Sequence, residues 1–416
     1  MKIAIFSKAD RFGGGASRVA EELCMLLHAE GHTAHHYLAI YERFAPYMRP
    51  LYGPPSIAKI IQRLHKFSQR HGLQEIIPYE ALLFILGGKT RNYDIVHFHD
   101  IASTISPLTI RYISRLMPTV WTFHDCAGYT GGCIFPMDCE KFKVKCNSCP
   151  QMKGWPLNLS KKNDLTGFIQ RVKRRTASEN RFTVIAPCKW MAERSMSSGF
   201  FSSPPVVIPY GIDVDLYKPI EKRDARQKLG LPQERYIVLI SAGHIADKRK
   251  GAKHSLEVLK KVKQEINPHI LVIGKMDNFM RKMFNEFEFT ETGYLKDDEK
   301  KAEYYSAADV FLFCPLDDNM PLTILETMAT CTPMVGFATG GIPEMFVHDK
   351  SGYLVPKGDI EGVAEGLRIA LLKGQASLWG EEARKRVEKY YTHQIFLKNH
   401  LQIYREVINN RKLGNR

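Results

Sequence analysis

Short apolar runs alternate with amphipathic stretches along most of this 416-residue chain, and that alternation leaves few folds open. Lys2–Ser7 is a short apolar run ended by polar residues, which predicts a buried strand. A loop with Gly13, Gly14 and Gly15 follows. Val19, Ala20, Leu23, Leu26 and Leu27 then recur at helical spacing, and Gly31 is a helix stop. Strand, glycine loop and helix open a doubly wound α/β domain. Strands return at Ile95–Phe98 and Thr119–Phe123, around a helical stretch Pro107–Leu116, and again at Phe182–Ala186 and Val206–Ile208. The segment Pro209–Pro219, PYGIDVDLYKP, interrupts the pattern with glycine, prolines and acidic residues, which predicts a change of domain.

Beyond it the alternation restarts. Strands are predicted at Tyr236–Ser241, His269–Gly274, Val310–Phe313 and Pro333–Phe337. Helices are predicted at Ala252–Glu265, Glu299–Ala307, Pro321–Ala329 and Asp359–Leu372. The expectation is an α/β chain of two facing Rossmann-like doubly wound domains with a cleft between them. The first covers 1–208, with a cysteine-rich insertion at 126–160. The second covers 209–382, and a helical tail, 383–416, packs back on the first.

Composition narrows the partners. At 44% hydrophobic and 25% charged, the chain is not globally disordered. Its longest apolar run, about Ala81–Leu86, is far short of the ~18 residues of a membrane span. The apolar start before Ser7, Lys8 and Asp10 is too short for a signal peptide, so a cytoplasmic protein is expected. Lys+Arg minus Asp+Glu is 59 − 44 = +15, which calls for an anionic partner: nucleic acid, anionic lipid or a phosphorylated substrate. Ile57–His71 is a basic amphipathic stretch. Ile57, Ile60, Ile61, Leu64 and Phe67 lie on one side, with Lys59, Arg63, Lys66 and Arg70 elsewhere. It reads as a core-facing helix with a solvated face, or as a helix lying on a membrane surface. Residues 161–175 are strongly basic, with Lys161, Lys162, Arg171, Lys173, Arg174 and Arg175 against Asp164.

Four stretches carry chemistry. In DDNMPLTILETMATCTPMVGFATGG, residues 317–341, Asp318 and Glu326 are eight apart, with Asp318 in the loop before a helix that Asp318 or Asn319 can cap. Helix-end amides favour an anion there, and Glu326 can accept ribose hydroxyls. In SAGHIADKRKG, residues 241–251, Lys248, Arg249 and Lys250 follow a strand and can hold a diphosphate without a metal. In WTFHD, His124 and Asp125 end a strand, where open α/β sheets bind ligands. His97 and His99 end the preceding strand in VHFHD. The loop FGGGAS lacks the G-x-G-x-x-G spacing, yet Gly14 and Gly15 allow a ligand close to the backbone.

Of nine cysteines, five fall between 126 and 149. Cys133, Cys139, Cys146 and Cys149 suit either a tetrahedral structural zinc site or cysteines that are simply reduced or disulfide-paired.

Taken in order, the glycine loop, TFHD, IPYGIDVDLYKP, KRKG, TGYL at Thr292–Leu295 and the acid pair followed by TGGIPE resemble the family 4 retaining glycosyltransferases of the GT-B fold. The likeness covers most of the chain. The 121–157 segment further resembles the cysteine-containing branch used in bacterial exopolysaccharide, capsule and O-antigen assembly. The resemblance implies a nucleotide-sugar donor, UDP- or GDP-linked, and a saccharide or lipid-linked acceptor. It puts Lys250 on the donor diphosphate with Arg249 near it, and Glu326 on the ribose. Asp318 takes the place of the first acid of the family's E-x7-E pattern, at the transferred sugar, with Asn319 next to it. His124 comes beside the reacting sugar, and backbone at Tyr294–Leu295 holds the base. Gly14 and Gly15 complete the site. This chain has His244 where the family often has arginine, and Asp318 where glutamate is commoner. No cofactor is expected for catalysis, and a zinc would be structural. Approach to an anionic membrane surface at the inner face of the membrane is expected, and nucleic acid is not. The alternative is a nucleic-acid-binding protein using the basic surface and the cysteine module. Asp213-Val214-Asp215 lies in the hinge and is expected to be a chance match to a metal-binding D-x-D.

Overall fold

The computed structural model describes residues 1–73, 76–157 and 164–414. The chain divides into two units: Met1–Pro209 together with the chain from Leu397 onward, and Tyr210–Phe396. Each is built on a parallel sheet. In the first unit the strands are β1 (Lys2–Ala9), β2 (Thr33–Ile40), β3 (Met48–Pro50), β4 (Ile95–Phe98), β5 (Thr119–Thr122), β6 (Thr183–Ala186) and β7 (Val206–Val207). Their order is β3-β2-β1-β4-β5-β6-β7, and every pairing is parallel. In the second they are β8 (Ile237–His244), β9 (His269–Lys275), β10 (Phe289–Glu291), β11 (Val310–Phe313), β12 (Met334–Phe337) and β13 (Gly352–Val355), in the order β10-β9-β8-β11-β12-β13. Both sheets are therefore doubly wound. Winding reverses at β1/β4 in one and at β8/β11 in the other, which leaves a crevice at the carboxyl ends of those strands.

The strands are near-continuous apolar runs because helices cover both faces of a parallel sheet. Phe6, Phe98, Trp121 and Phe123 are buried in the first core, and Leu256, Leu259, Ile270, Leu312 and Phe337 in the second. Helix ends are set locally. Ser106 accepts the Leu108 N–H, and Pro107 occupies the first turn of Pro107–Leu116.

Three expectations change. The helix Pro55–Arg70 does not turn its apolar stripe to the core. Only Ile61 is buried, while Ile57, Ile60, Leu64 and Phe67 are exposed. The basic run 161–175, counted toward an anionic partner, does not all face outward. Lys173 is buried, its ammonium donating to the carbonyls of Ala127 and Thr130 beneath the cysteine-rich segment. Lys161 and Lys162, like residues 158–160 of that segment, lie outside the described residues. The tail is divided: the helix His393–Gly414 starts in the second unit and passes into the first at Leu397. No helix among the described residues is long and apolar enough to cross a membrane.

Candidate active site

In the second unit the site grows from β8 and β11, the two strands at the switch point. The turn Lys248–Lys250 follows β8 and is capped by Asp247, whose carboxylate accepts the Arg249 N–H. Gly251 closes the turn at φ 72°, and a Cβ there would lie 1.6 Å from the Cys314 carbonyl oxygen. Only glycine lets the turn press onto the end of β11. The Leu316 N–H donates to the Arg249 carbonyl and links the two loops. Gly340, at φ 60°, does the same service after β12, where a Cβ would meet the Asp318 carbonyl oxygen at 1.6 Å.

This packing brings Arg249, Lys250 and Asp318 together. Lys250 Nζ donates to Asp318 Oδ2 at 2.7 Å, and Arg249 Nη1 lies 3.0 Å from the same oxygen. The Asn319 N–H donates to Asp318 Oδ1. Burial would raise the Asp318 carboxyl, but the two cations hold it below the usual carboxylate range. Burial pushes the Lys250 ammonium down; Asp318 opposes that shift and Arg249 adds to it. Arg249 also lies 3.6 Å from the Asp247 carboxylate and donates to the Asp317 carbonyl at 3.1 Å. Two cations thus face two carboxylates, and both could donate to a further anion in exchange for Asp318.

Glu326 is not on the surface. It lies in the helix Leu322–Ala329, is 3% exposed, and accepts hydrogen bonds from Tyr305 at 2.9 Å and Tyr217 at 3.3 Å. Lys301 Nζ is 3.8 Å away. His244 ends β8 exposed, and Tyr294 is exposed beside a partly buried Leu295. Asp213 accepts the N–H groups of Asp215 and Leu216, which is a turn-capping role.

In the first unit, groups gather at the β1/β4 switch point. Asp100, after β4, accepts from Ser17 Oγ at 3.1 Å and lies 3.3 Å from Lys8 Nζ at the end of β1. Gly14 and Gly15 are exposed at the start of the helix Gly15–Ala29, where the cap Gly14 has φ 120° and no side chain bonds the first amides. Asp125 caps the next turn through the Ala127 N–H. Burial, and then the Asp100 carboxylate, push its carboxyl up to about 7. His124 is partly exposed, with Nε2 2.9 Å from His99 Nδ1, whereas His97 and His99 are buried.

The four cysteines of the insertion line one small cavity with Phe142 and Thr166. They form no disulfide. Burial pushes the Cys146 and Cys149 thiols up, and the Gly131 and Gln151 backbone only partly opposes this. Among the described residues, no three His, Cys, Asp or Glu side chains are drawn together as a metal site.

Sequence reasoning missed Lys8, Asp100, Tyr217 and Tyr305. Asp100 and Tyr217 lie within motifs it quoted, while Tyr305 carried no local signal.

Residues 13–216 match the family described as Glycosyltransferase Family 4, and residues 221–393 the one described as Glycosyl transferases group 1. The chain is 26% identical over 210 residues to N-acetyl-alpha-D-glucosaminyl L-malate synthase of Bacillus anthracis, covering 49% of this chain and 54% of that protein. It is 33% identical over 89 residues to the amylovoran biosynthesis glycosyltransferase AmsK of Erwinia amylovora, covering 20% and 22%. The match thus spans about half the length of the first relative and about a fifth of the second. The fold is shared along the whole chain with HepE of Anabaena, solved in complex with UDP-glucose: TM-score 0.65, 14% identity, 98% of this chain and 100% of that one. With the two family matches in tandem, and each on its own doubly wound unit, the chain belongs to the glycosyltransferases that join a family 4 domain to a group 1 domain.

Proposed function

We propose that the protein transfers a sugar from a nucleotide-sugar to a saccharide or lipid-linked acceptor in cell-surface polysaccharide synthesis, with retention of anomeric configuration. The observation that carries the reading is the Arg249–Lys250–Asp318 cluster at the β8/β11 switch point. Its two cations can exchange their Asp318 contacts for a diphosphate. Breaking the sugar–phosphate bond builds negative charge on the leaving diphosphate, and cations held in place before the reaction stabilise that charge. Glu326 would accept the ribose hydroxyls, exchanging with its tyrosine donors. Asp318, released from the lysine, would meet the transferred sugar, and Asn319 would support it. Backbone at Tyr294–Leu295 would hold the base. In the first unit, His124 is the group offered to a sugar hydroxyl, and Gly14 and Gly15 offer free backbone amides. The UDP-glucose held by HepE and the polysaccharide role in the name of AmsK support donor and pathway class; retention rests on the family likeness. Nucleotide-dependent stabilisation tests the donor half: UDP or GDP should raise the melting temperature, by an amount set by concentration over Kd. No shift with either nucleotide at millimolar concentration would reject it.

The acceptor reading extends to a membrane surface. On Pro55–Arg70 the exposed stripe Ile57, Ile60, Leu64 and Phe67 runs beside the exposed stripe Lys59, Arg63, Lys66 and Arg70. An apolar edge flanked by cations suits an anionic leaflet. The cysteine cavity is proposed to take a structural zinc, with the four sulfurs closing in on it.

A further inference from the structure

The cysteine-rich segment carries a turn whose tip is a tryptophan that the proposed transfer leaves unused. Met152 and Leu157 are each 2% exposed and pack against Cys133 and Cys149. Gln151 Nε2 donates to the Phe135 carbonyl at 2.7 Å, and the Gly154 N–H closes the turn on the Gln151 carbonyl at 2.9 Å. The Pro156 carbonyl accepts from Gln69 Nε2 of the helix Pro55–Arg70 at 3.2 Å. Both flanks are tied down, yet Trp155 between them is 52% exposed. Trp121 and Trp379, by contrast, are buried, and Trp190 is half-buried.

Lys8 places this indole at the β1/β4 switch point. Its Nζ lies 5.0 Å from the centroid of the Trp155 ring and 3.3 Å from Asp100 Oδ2. Ring and carboxylate thus flank one ammonium, close enough for one pyranose to touch both. Asp100 Oδ2 takes the Lys8 and the Ser17 contacts, while Oδ1 has no hydrogen-bond partner among the described residues. A carboxylate oxygen can take two donors, and one with none in a residue only 7% exposed is a ready acceptor.

The face of an indole is negative and its edge positive. The C–H bonds on the flat side of a sugar are weakly positive, so a pyranose lies against that face while its hydroxyls stay at the rim for polar partners. Lys8 and the tied turn hold the ring before a ligand arrives, so little ordering is lost on binding. One aromatic face beside a few placed polar groups is how small polar ligands are held. A membrane surface would also take an exposed indole, but an anionic headgroup is repelled by the open Asp100 carboxylate.

We infer that Trp155, held over the Lys8–Asp100 pair, is the stacking platform for the sugar ring of the acceptor. The cysteine-rich segment then serves the site by holding Trp155 in place. That the sugar is an acceptor rests on the transfer reading; that a sugar binds there does not.

The test is fluorine NMR of the full chain labelled with fluorotryptophan, with the Trp155 signal assigned as the one that Trp155→Phe removes. Methyl glycosides of glucose, galactose, mannose and N-acetylglucosamine are added at tens of millimolar, and vesicles of anionic lipid without sugar are added separately. At least one glycoside should shift the Trp155 signal and leave those of Trp121 and Trp379 in place. Saturation transfer to that glycoside gives its Kd, which should rise about tenfold in Trp155→Ala and stay within about threefold in Trp155→Phe. No shift with any of the four glycosides, a shift with the vesicles alone, or a Kd unchanged in Trp155→Ala overturns the inference. UDP affinity, measured alongside, should be the same in the wild type and both variants. Failure of UDP to bind any of them would end the donor reading and leave the glycoside result standing.

Discussion

Replacing Lys250 with alanine separates what the lysine does for the fold from what it does for a ligand. Its ammonium donates a charged hydrogen bond of 2.7 Å to an Asp318 carboxylate that is 6% exposed. Taking one partner from a buried ion pair costs about 3–5 kcal/mol when the other is stranded. Asp318 is not stranded, because Arg249 stays 3.0 Å from the same oxygen. The loss of Lys250→Ala is then one charged hydrogen bond, reduced by the relief of burying the ammonium, or about 1–2 kcal/mol. For units of this size that lowers the melting temperature by about 2–8 °C. The ligand effect is separate. A diphosphate that loses one charged contact should bind about 10–100-fold more weakly. Asp318→Asn makes the opposite prediction: it removes the carboxylate that the two cations share, so UDP should bind at least as tightly while transfer is lost. Calorimetric titration with UDP on wild type and both variants is the assay, with thermal melts as the control for folding. UDP affinity within twofold of wild type in folded Lys250→Ala would refute the diphosphate assignment. Weaker UDP binding in Asp318→Asn would refute the idea that Asp318 competes with the ligand.

Asp125 gives a pH prediction. Its native carboxyl, at about 7, holds a proton that the unfolded chain has released above about 4. Between these values the native state binds more protons, so this group makes stability fall as pH rises through the window; Asp125→Asn should flatten that slope in melts at several pH values. Vesicles rich in anionic lipid should capture the protein at low salt and release it as salt rises, with weaker capture when Lys59, Arg63, Lys66 and Arg70 are neutralised together; indifference to such vesicles would end the membrane reading. Metal analysis of protein purified without added metal should find about one zinc per chain, and no zinc with four titratable thiols would end the zinc reading.

The strands that carry the site were legible because interior parallel strands are short apolar runs, and the switch points follow once their order is set. The acid pair and the KRK turn were legible because loop chemistry is local in sequence. Long-range partners were not. Tyr404, whose hydroxyl is 2.7 Å from His97 Nδ1, lies 307 positions from it and belongs to a helix with no other mark. Glu326 reads as a ribose acceptor, but its burial against Tyr217 and Tyr305 could not be read from the sequence. β2 was missed because His35 and His36 break its apolar run, yet His36 is buried with its Nε2 2.6 Å from Ser7 Oγ. The helix Pro55–Arg70 misled for a different reason: a stripe at helical spacing announces an apolar face but not what covers it. Lys173 shows the converse. A lysine in a basic run can be a buried donor to two carbonyls, and composition does not distinguish that from a solvated charge.

The central claim is glycosyl transfer from a nucleotide-sugar at the Arg249–Lys250–Asp318 cluster. The most direct measurement incubates the full chain with UDP- and GDP-sugars and a set of saccharide and lipid-linked acceptors, and reads both the released nucleoside diphosphate and the new glycoside. The account predicts equal amounts of the two with one donor, retained anomeric configuration in the product, and no product from Asp318→Asn that still binds the nucleotide. A product of inverted configuration, or full transfer by Asp318→Asn, would contradict it.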